Sequence, residues 1–261
     1  RPKFPPIRRL LKTVFTFGKA FIIWKIVDAR KENEVKKTVL YRRIREAAEQ
    51  LGPTYVKLAQ LISAAEGVFP DALIEECKKC RDEVQAETWS TARKTIENEL
   101  GPLNDIFKSV DPIPIAAASI AQVHSAILHD DSSVVVKVQR PRIQDQVISD
   151  LKVLAWLAPK FVGRIPVAAL TNPPALVELF AETICEELDF NLEVANLFEL
   201  ERALRANPKN SWEFPIPNLD YVTSRIIVMS AVEGVSLGNA NEMHLEVEEI
   251  SDVFRQMVDG L

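Results

Sequence analysis

Two lysines that stand inside apolar runs constrain the fold of this chain more than any other feature of its sequence. Lys57 lies in TYVKLAQLIS (54–63), and Lys137 lies in VVVKV (134–138). Burying an unpaired ammonium group is costly, so such a lysine needs a carboxylate partner or must extend its charged end to water. The chain is therefore expected to supply acidic side chains that hold both lysines.

The composition is that of a globular, helix-rich protein. Of the 261 residues, 47% are hydrophobic, which is enough for a core in one large domain or two small ones. Charged residues make up 26% and the formal net charge is −5, a balance that argues against a dedicated nucleic-acid-binding protein. Only 8 glycines are present, which favours helices.

Two of the three cysteines have a spacing that zinc sites and redox pairs share. Cys77 and Cys80 form a C-x-x-C sequence within a stretch of helical pattern. No second pair of ligands follows, and a structural zinc ion is held by four. We therefore favour two thiols on one helix over a metal site, in a protein of a reducing compartment.

The first 31 residues are basic and apolar. Lys12, Lys19 and Lys25 interrupt this segment, so its uncharged runs are too short to span a bilayer. It fits an amphipathic helix lying on an anionic membrane surface. It fits equally well a helix that packs on the rest of the protein, and the sequence leaves both interpretations open.

Periodicity and turn residues predict a helical region, then a hairpin, then further helices. A break at Gly52-Pro53 starts a new helix, and Asp111-Pro112-Ile113-Pro114 is expected to be extended because a residue before proline avoids the helical region. The predicted helices cover 37–62 (with that break), 70–84, 89–100, 143–160, 175–206 and 245–258. The predicted strands are 119–128 and 134–139, joined by the loop HDDSS, and 226–229.

A lysine-bearing strand followed by a helix with glutamates is the order of a protein-kinase amino-terminal lobe. In that lobe a glycine-rich loop covers the phosphates before the lysine strand. Here the corresponding position holds Ala116-Ala117-Ala118-Ser119, the alanine-rich loop. Because alanine disfavours the positive φ angles that glycine adopts, this loop should be stiffer and differently shaped.

Four segments, LGPTYVKLAQLIS, PIAAASIAQVHSA, VVVKVQRP and EELDFNLEVAN, resemble in their order and spacing the UbiB/AarF family of atypical protein-kinase-like proteins. The resemblance runs from about residue 45 to residue 260. It implies an α+β fold: a protein-kinase-like amino-terminal lobe with a small antiparallel sheet, family-specific helical insertions and a truncated carboxy-terminal lobe.

The resemblance also implies roles for individual residues. As catalytic residues it names Lys137, which contacts nucleotide phosphates, and Glu193, which holds that lysine. The residues that it implies for nucleotide binding are Ala116, Ala117, Ala118, Ser119, Lys137 and Met229. Those that it implies for a regulatory motif are Lys57, Gln60, Glu187 and Asp189. Lys57 and Gln60 match the family's K-x-G-Q motif, in which Ala59 stands here in place of the glycine.

The spacing of the two glutamates suggests separate partners. On one continuous helix, Glu187 and Glu193 would point about 120° apart. The resemblance implies that Glu193 holds Lys137, whereas Glu187 holds Lys57. Lys57 would then pin an extra helix across the site where a kinase admits a peptide substrate.

Three other polar groups are not expected to be catalytic. His124 follows the alanine-rich loop, and we expect a packed, hydrogen-bonded histidine rather than a general base. His129-Asp130-Asp131 lies at a predicted hairpin tip. Asp189-Phe190-Asn191 lies inside a predicted helix and lacks the glycine of the kinase D-F-G motif.

The sequence and the resemblance together divide the chain into four parts. These are a basic amphipathic segment (1–44), a helical extension with the K-x-G-Q motif (45–110), a kinase-like lobe (111–232) and the start of a second lobe (233–261). The chain stops where a catalytic loop is expected, which suggests a piece of a longer protein. The cofactors implied are ATP and Mg²⁺, with the Mg²⁺ ligands beyond residue 261 and no metal site within this chain.

The function implied by the resemblance is an ATP-binding atypical kinase or ATPase that supports isoprenoid-quinone or lipid metabolism. The alternative is a non-catalytic pseudokinase scaffold associated with membrane lipid. The expected partners are a nucleotide, an anionic membrane or isoprenoid lipid, and a second copy or a lipid-biosynthesis complex, but no nucleic acid. The expected location is peripheral on a membrane, facing the cytoplasm or the mitochondrial matrix.

Overall fold

A computed structural model of the chain describes residues 4–28, 33–80, 86–162, 172–205, 213–234 and 255. The chain forms two compact units, each built from several stretches of sequence. The first comprises Arg1–Ala92, Ala116–Gln122 and Gln139–Leu188, and the second comprises Arg93–Ile115, Val123–Val138 and Asp189–Leu261.

The first unit is helical. Its helices α1 and α2 pack on each other, α3 contacts α2, α4, α7 and α8, and α7 contacts α8. The bounds of these helices are α1 (Ile7–Val27), α2 (Asn33–Leu51), α3 (Pro53–Ala64), α4 (Asp71–Cys77), α7 (Ile143–Phe161) and α8 (Pro173–Glu187).

The junction between α2 and α3 depends on glycine. Gly52 has φ 102°, a conformation that residues with a Cβ rarely adopt. A Cβ at this position would also lie 3.2 Å from the side-chain amide nitrogen of Gln146. Pro53 then occupies the first turn of α3, where its missing N–H costs nothing. The predicted break at Gly52-Pro53 is confirmed.

A buried carboxylate ties three helices of this unit together. Asp150 of α7 is 0% exposed, and both of its oxygens accept hydrogen bonds from the guanidinium of Arg9 on α1. The Thr54 hydroxyl at the start of α3 donates to the same carboxylate at 2.7 Å. Arg9 also donates to the carbonyl of Leu51, the last residue of α2, at 2.7 Å. The N-terminal helix is therefore fixed by charge as well as by packing.

The second unit contains most of a five-stranded sheet with the strand order β1-β2-β3-β5-β4. Strand β5 pairs antiparallel with both β3 and β4. The strands are β1 (Phe107–Ala117), β2 (Ala121–Leu128), β3 (Ser133–Gln139), β4 (Pro217–Val222) and β5 (Ile226–Ser230). The helices around them are α5 (Trp89–Leu100), α6 (Leu103–Ile106) and α9 (Phe190–Arg205).

Strand β3 buries one face and carries Lys137 on the other. Val134, Val136 and Val138 are each at most 5% exposed, whereas Lys137 is half-buried. Lys137 lies opposite Ile227 of β5, and the next pair on the same face is Val135 with Met229. Met229 and Lys137 therefore share one face of the sheet.

Several predicted elements have different bounds in the structure. The helix predicted over 175–206 is two helices, because α8 ends at Glu187 and α9 begins at Phe190. At this break the Asp189 carboxylate accepts a hydrogen bond from the amide of Asn191 at 3.0 Å, as helix-capping residues do. The predictions that Glu187 and Glu193 share one helix and that Asp189-Phe190-Asn191 lies inside it are therefore wrong.

Other elements were misjudged in extent. The helix predicted over 70–84 is the shorter α4, and Cys80 lies beyond its end. The extended segment predicted at 111–114 is part of the longer β1, and no sequence pattern predicts β4. The predicted helix at 245–258 lies outside the described residues, apart from residue 255. Within the described ranges, no helix is long and apolar enough to cross a membrane.

His124 is packed inside the second unit, as expected. It is 0% exposed, and its Nδ1–H donates to the carbonyl of Asp111 at 2.8 Å. Burial lowers the pKa of His124 below its usual value, because the charged imidazolium is poorly solvated there. The neutral ring is therefore the form that the fold accommodates.

The buried Asp150 carboxylate should contribute strongly to stability. We expect Asp150→Ala to lower the free energy of unfolding by about 3–5 kcal/mol, because it leaves the Arg9 guanidinium without its counter-ion. Urea denaturation measures this loss. The control is Glu97→Ala, which breaks the exposed pair with Arg93 and should cost about 0.5 kcal/mol. A loss for Asp150→Ala no larger than that of the control would contradict the anchoring role.

His124 should make the fold sensitive to acid. Since its pKa is lower in the folded state, the unfolded state binds the proton more readily, and the free energy of unfolding should fall as the pH drops below about 6.5. Urea denaturation at about pH 7 and about pH 5 measures this fall. His124→Asn, which can still donate to the Asp111 carbonyl, should reduce it. An equal fall in the variant would show that His124 is not responsible.

Candidate functional site

The two lysines in apolar runs each contact a carboxylate, and the two predicted pairings are present. In the second unit, the Nζ of Lys137 lies 2.5 Å and 2.7 Å from the two carboxylate oxygens of Glu193. In the first unit, the Nζ of Lys57 lies 3.0 Å from an oxygen of Glu187. Each lysine side chain is about a quarter exposed, at 24% and 23% respectively. Both charged ends therefore remain within reach of solvent.

The Lys137–Glu193 pair is held by the start of helix α9. Phe190, the first residue of α9, is 0% exposed, and its ring centroid lies 5.0 Å from the Lys137 ammonium. This distance allows a cation–π contact. The amide of Phe190 donates to the carbonyl of Ser224 at 3.1 Å, which fixes the start of α9 to the turn between β4 and β5. Phe190 was not predicted as a site residue.

The Lys57–Glu187 pair joins two helices of the first unit. Lys57 lies on α3, and Glu187 is the last residue of α8. Gln60 lies one turn after Lys57 on α3, and Asp189 follows the end of α8 and caps α9.

Ala59, which stands in place of the family's glycine, has a packing role. It is 5% exposed and packs in a cluster of buried residues with Val56, Cys77 and Cys80. Its methyl group therefore contributes to the core of the first unit.

The C-x-x-C cysteines pack in the core of the first unit. Both are buried and neither forms a disulfide, and burial raises the pKa of the Cys77 thiol to about 11. The uncharged thiol is therefore favoured at neutral pH, as expected for a packing residue. Among the described residues, no group of three or more His, Cys, Asp or Glu side chains is arranged to hold a metal ion.

The alanine-rich loop is a short turn at the junction of β1 and β2. Ala116 and Ala117 end β1, and the amide of Ala118 donates to the carbonyl of Ala121 at 2.8 Å. Ser119 is 1% exposed, whereas Ala116 and Ala118 are exposed. Within the described ranges, Asp131 and Arg142 are the non-glycine residues with positive φ. The loop thus avoids the conformations that alanine disfavours.

The remaining polar motifs lie where no catalytic role is expected. His129, Asp130 and Asp131 form the tip of the β2–β3 hairpin, and the Asp131 carboxylate is paired with Lys108. The ring of His129 bonds to the carbonyl of Asn104 at 2.9 Å. These contacts show that His129 and Asp131 bond to neighbouring parts of the second unit near the hairpin tip.

Comparison with known proteins agrees with this geometry. Residues 79–260 match the family model described as the ABC1 atypical kinase-like domain. Over 198 residues the chain is 33% identical to a probable protein kinase UbiB of Marinobacter nauticus, covering 76% of this chain and 36% of that protein. It is 34% identical over 197 residues to a chloroplastic aarF domain-containing protein kinase of Arabidopsis thaliana, covering 74% of this chain and 36% of that protein.

A solved structure is also similar to the chain. It is the complex of Rv3197 with erythromycin from Mycobacterium tuberculosis, and its sequence is 26% identical to that of this chain. The match covers 72% of this chain and 47% of that chain, with a TM-score of 0.49.

The chain spans about a third of the length of the two kinase-named relatives. The family match covers most of the chain, and the five-stranded sheet with its paired lysine is that of a kinase-like amino-terminal lobe. The chain therefore belongs to the ABC1 atypical kinase-like family, which includes the UbiB and AarF proteins.

Proposed function

We propose that this chain is the nucleotide-binding part of an atypical kinase or ATPase of the UbiB type. It would use ATP with Mg²⁺ in support of isoprenoid-quinone or lipid metabolism at a membrane surface. The observation that carries this proposal is the contact of the Lys137 ammonium with both oxygens of Glu193. A strand lysine held in this way by a helix glutamate is the arrangement that kinases use to position ATP phosphates.

The chemistry of the pair fits a phosphate ligand. Glu193 and the Phe190 ring orient the ammonium group, and the 24% exposure of Lys137 leaves it accessible to an anion. Met229 on the same face of the sheet is proposed to contact the nucleotide base. The alanine-rich loop is proposed to take the place of the glycine-rich loop of protein kinases. Bound Mg²⁺ would neutralise charge on the transferring phosphoryl group.

The Lys57–Glu187 pair is proposed to have a separate, regulatory role. It links α3, which carries the K-x-G-Q-like motif, to the end of α8. Because it is partly exposed on both sides, its own contribution to stability should be about 1 kcal/mol or less. A pair of that strength can break and re-form without unfolding the unit.

Removal of the Lys137 side chain should weaken nucleotide binding. We expect Lys137→Ala to reduce affinity for ATP by roughly tenfold to a hundredfold, because a hydrogen bond to a charged group contributes about 1.5–3 kcal/mol. Calorimetric titration of the full-length protein with ATP and with ADP, with and without Mg²⁺, measures this. Nucleotide should also raise the melting temperature, since it binds the native state.

Lys108→Ala is the matched control for that experiment. Lys108 is also a strand lysine of the second unit with a carboxylate partner, Asp131, but the pair is exposed near a hairpin tip. Its loss should leave nucleotide affinity unchanged. Equal affinities of wild type and Lys137→Ala would overturn the assignment of Lys137.

A second candidate function, a membrane-associated scaffold, is favoured by the exposed face of α1. One side of this helix packs on the protein through Thr13, which contacts the Tyr55 hydroxyl at 2.9 Å, and through the ring of Phe17. The other side is a stripe of apolar side chains that are at least half exposed. They are Ile7, Leu11, Val14, Phe15, Phe21, Ile22 and Ile26.

Basic residues border the apolar stripe of α1. Arg8, Lys12 and Lys19 are exposed and follow one edge of it at helical spacing. An apolar face with cations along its edge suits the surface of an anionic bilayer, where the side chains enter the acyl boundary and the charges meet the headgroups. The two interpretations of this segment are thus compatible: one face packs and the opposite face is available.

Vesicle binding tests the membrane candidate. We expect Phe15→Ser to weaken binding to vesicles that contain phosphatidylglycerol by roughly tenfold or more, because burying a Phe side chain contributes about 1.5–3 kcal/mol. The matched control is Leu219→Ser, which changes a residue of β4 with 66% exposure. Equal binding of the two variants, or equal binding of wild type to pure phosphatidylcholine, would count against this surface.

A further inference from the structure

A buried arginine holds the backbone of the alanine-rich loop. Arg140 follows strand β3 and is 7% exposed, and its Nε–H donates to the carbonyl of Ala118 at 3.0 Å. The amide of Arg140 donates to the carbonyl of Ile120 at 2.9 Å. One residue therefore contacts a carbonyl of the loop and the carbonyl of the residue that directly follows the loop.

An acidic residue from another part of the first unit orients this arginine. The Nη1 of Arg140 lies 3.2 Å from the carboxylate of Glu87. The amide of Glu87 in turn donates to the side-chain oxygen of Gln122 at 2.8 Å. Gln122 is 2% exposed and lies on β2, directly after the loop. The guanidinium, the carboxylate and the strand that leaves the loop thus form one connected set of contacts.

The chain on the other side of Arg140 is also fixed. Gln139 is 1% exposed, and its side-chain amide nitrogen donates to the backbone carbonyl of Leu188 at 2.9 Å. Leu188 stands between Glu187 and Asp189, where α8 ends. The side-chain amide nitrogen of Gln144 also donates to the Leu188 carbonyl, at 3.4 Å. Arg140 therefore acts on the loop from a fixed position.

The contact with Ala118 determines the direction of a backbone donor. In a trans peptide the carbonyl and the following N–H point in opposite directions. Holding the Ala118 carbonyl toward Arg140 therefore fixes the direction of the Ser119 N–H. Backbone N–H groups of such turns are what cradle phosphates in nucleotide sites. The orientation of this peptide is accordingly a property on which nucleotide binding would depend.

We propose that Arg140 is a positioning residue that sets the shape of the alanine-rich loop and, through it, the nucleotide affinity of the protein, with Glu87 as its orienting partner. The second half of this proposal rests on the nucleotide-binding function proposed above. In a glycine-rich loop, backbone freedom lets the turn adapt to its ligand. Here the turn has little such freedom, and a side chain from the end of β3 determines its shape.

The test uses Arg140→Lys in the full-length protein. Lysine keeps the positive charge but cannot contact Ala118 and Glu87 with a rigid fork of donors. Without nucleotide, we expect the Ala118 amide to exchange its hydrogen about tenfold faster, since the turn loses a hydrogen bond to a charged group. In calorimetric titrations we expect affinity for ATP to fall by about tenfold or more.

Two further variants separate positioning from general destabilisation. Glu87→Gln should also speed exchange of the Ala118 amide and weaken affinity for ATP, but by smaller factors. It replaces Arg140→Lys as the test variant if Arg140→Lys does not fold. Arg225→Lys makes the same substitution in an arginine that pairs with Glu99, at 3.3 Å, and should change neither quantity. Equal changes in Arg225→Lys and Arg140→Lys would show a merely structural effect and overturn the proposal.

The two measurements also separate this proposal from the proposed function. If wild type binds no nucleotide, the proposed function fails, and with it the claim about affinity; the exchange of the Ala118 amide still decides whether Arg140 holds the loop. If wild type binds nucleotide and Arg140→Lys exchanges faster with unchanged affinity, the positioning role is overturned while the proposed function stands. Unchanged exchange in a folded Arg140→Lys overturns the proposal directly.

Discussion

The first unit depends on a carboxylate that is completely withdrawn from water. Removing the Asp150 charge from solvent is costly, and the fold offsets this cost with two hydrogen bonds from Arg9 and one from Thr54. Those donors come from α1 and from the first turn of α3, so a single acidic side chain sets the position of both helices. Because Arg9 must face inward to reach Asp150, the opposite face of α1 turns outward with its apolar side chains. The exposed stripe is thus a consequence of the same interaction that anchors the helix.

The two lysines in apolar runs are accommodated by a helix that is interrupted. Glu187 ends α8 and Glu193 lies in the first turn of α9, and the two belong to different units. The interruption at Leu188–Asp189 allows a short acidic segment to serve two lysines that lie 80 positions apart in the sequence. The Asp189 side chain bonds to the amide of Asn191 in place of a backbone partner, which stabilises the new helix start.

The sequence predicted the features that rest on local chemistry. Gly52-Pro53 predicted a helix break because glycine allows positive φ angles and proline suits the first turn of a helix. The run VVVKVQ after the loop HDDSS predicted a strand. The break at Asp189 was not predicted because no glycine or proline marks it. The only local signal was an aspartate that suits the N-cap of a helix. Strand β1 was not predicted in full because Pro112 and Pro114 argue against a strand. Both prolines are tolerated at the edge of a sheet, where β1 lies. The two ion pairs were predicted by resemblance to a family, whereas no sequence pattern indicated the contacts of Arg140, Glu87 and Gln139, which join residues far apart in the chain.

The alanine-rich loop shows how a turn can be made rigid without unusual backbone angles. Alanine has fewer backbone conformations than glycine in the unfolded chain, so ordering this turn costs less conformational entropy. The Ala118 carbonyl is also held by the buried guanidinium of Arg140, which leaves the turn little freedom to lose when a ligand binds. A ligand that fits the fixed shape gains affinity from this preorganisation, whereas one that needs a different shape must break the contact with Arg140. Selectivity among nucleotides would then be set by the end of strand β3, the strand that also presents Lys137.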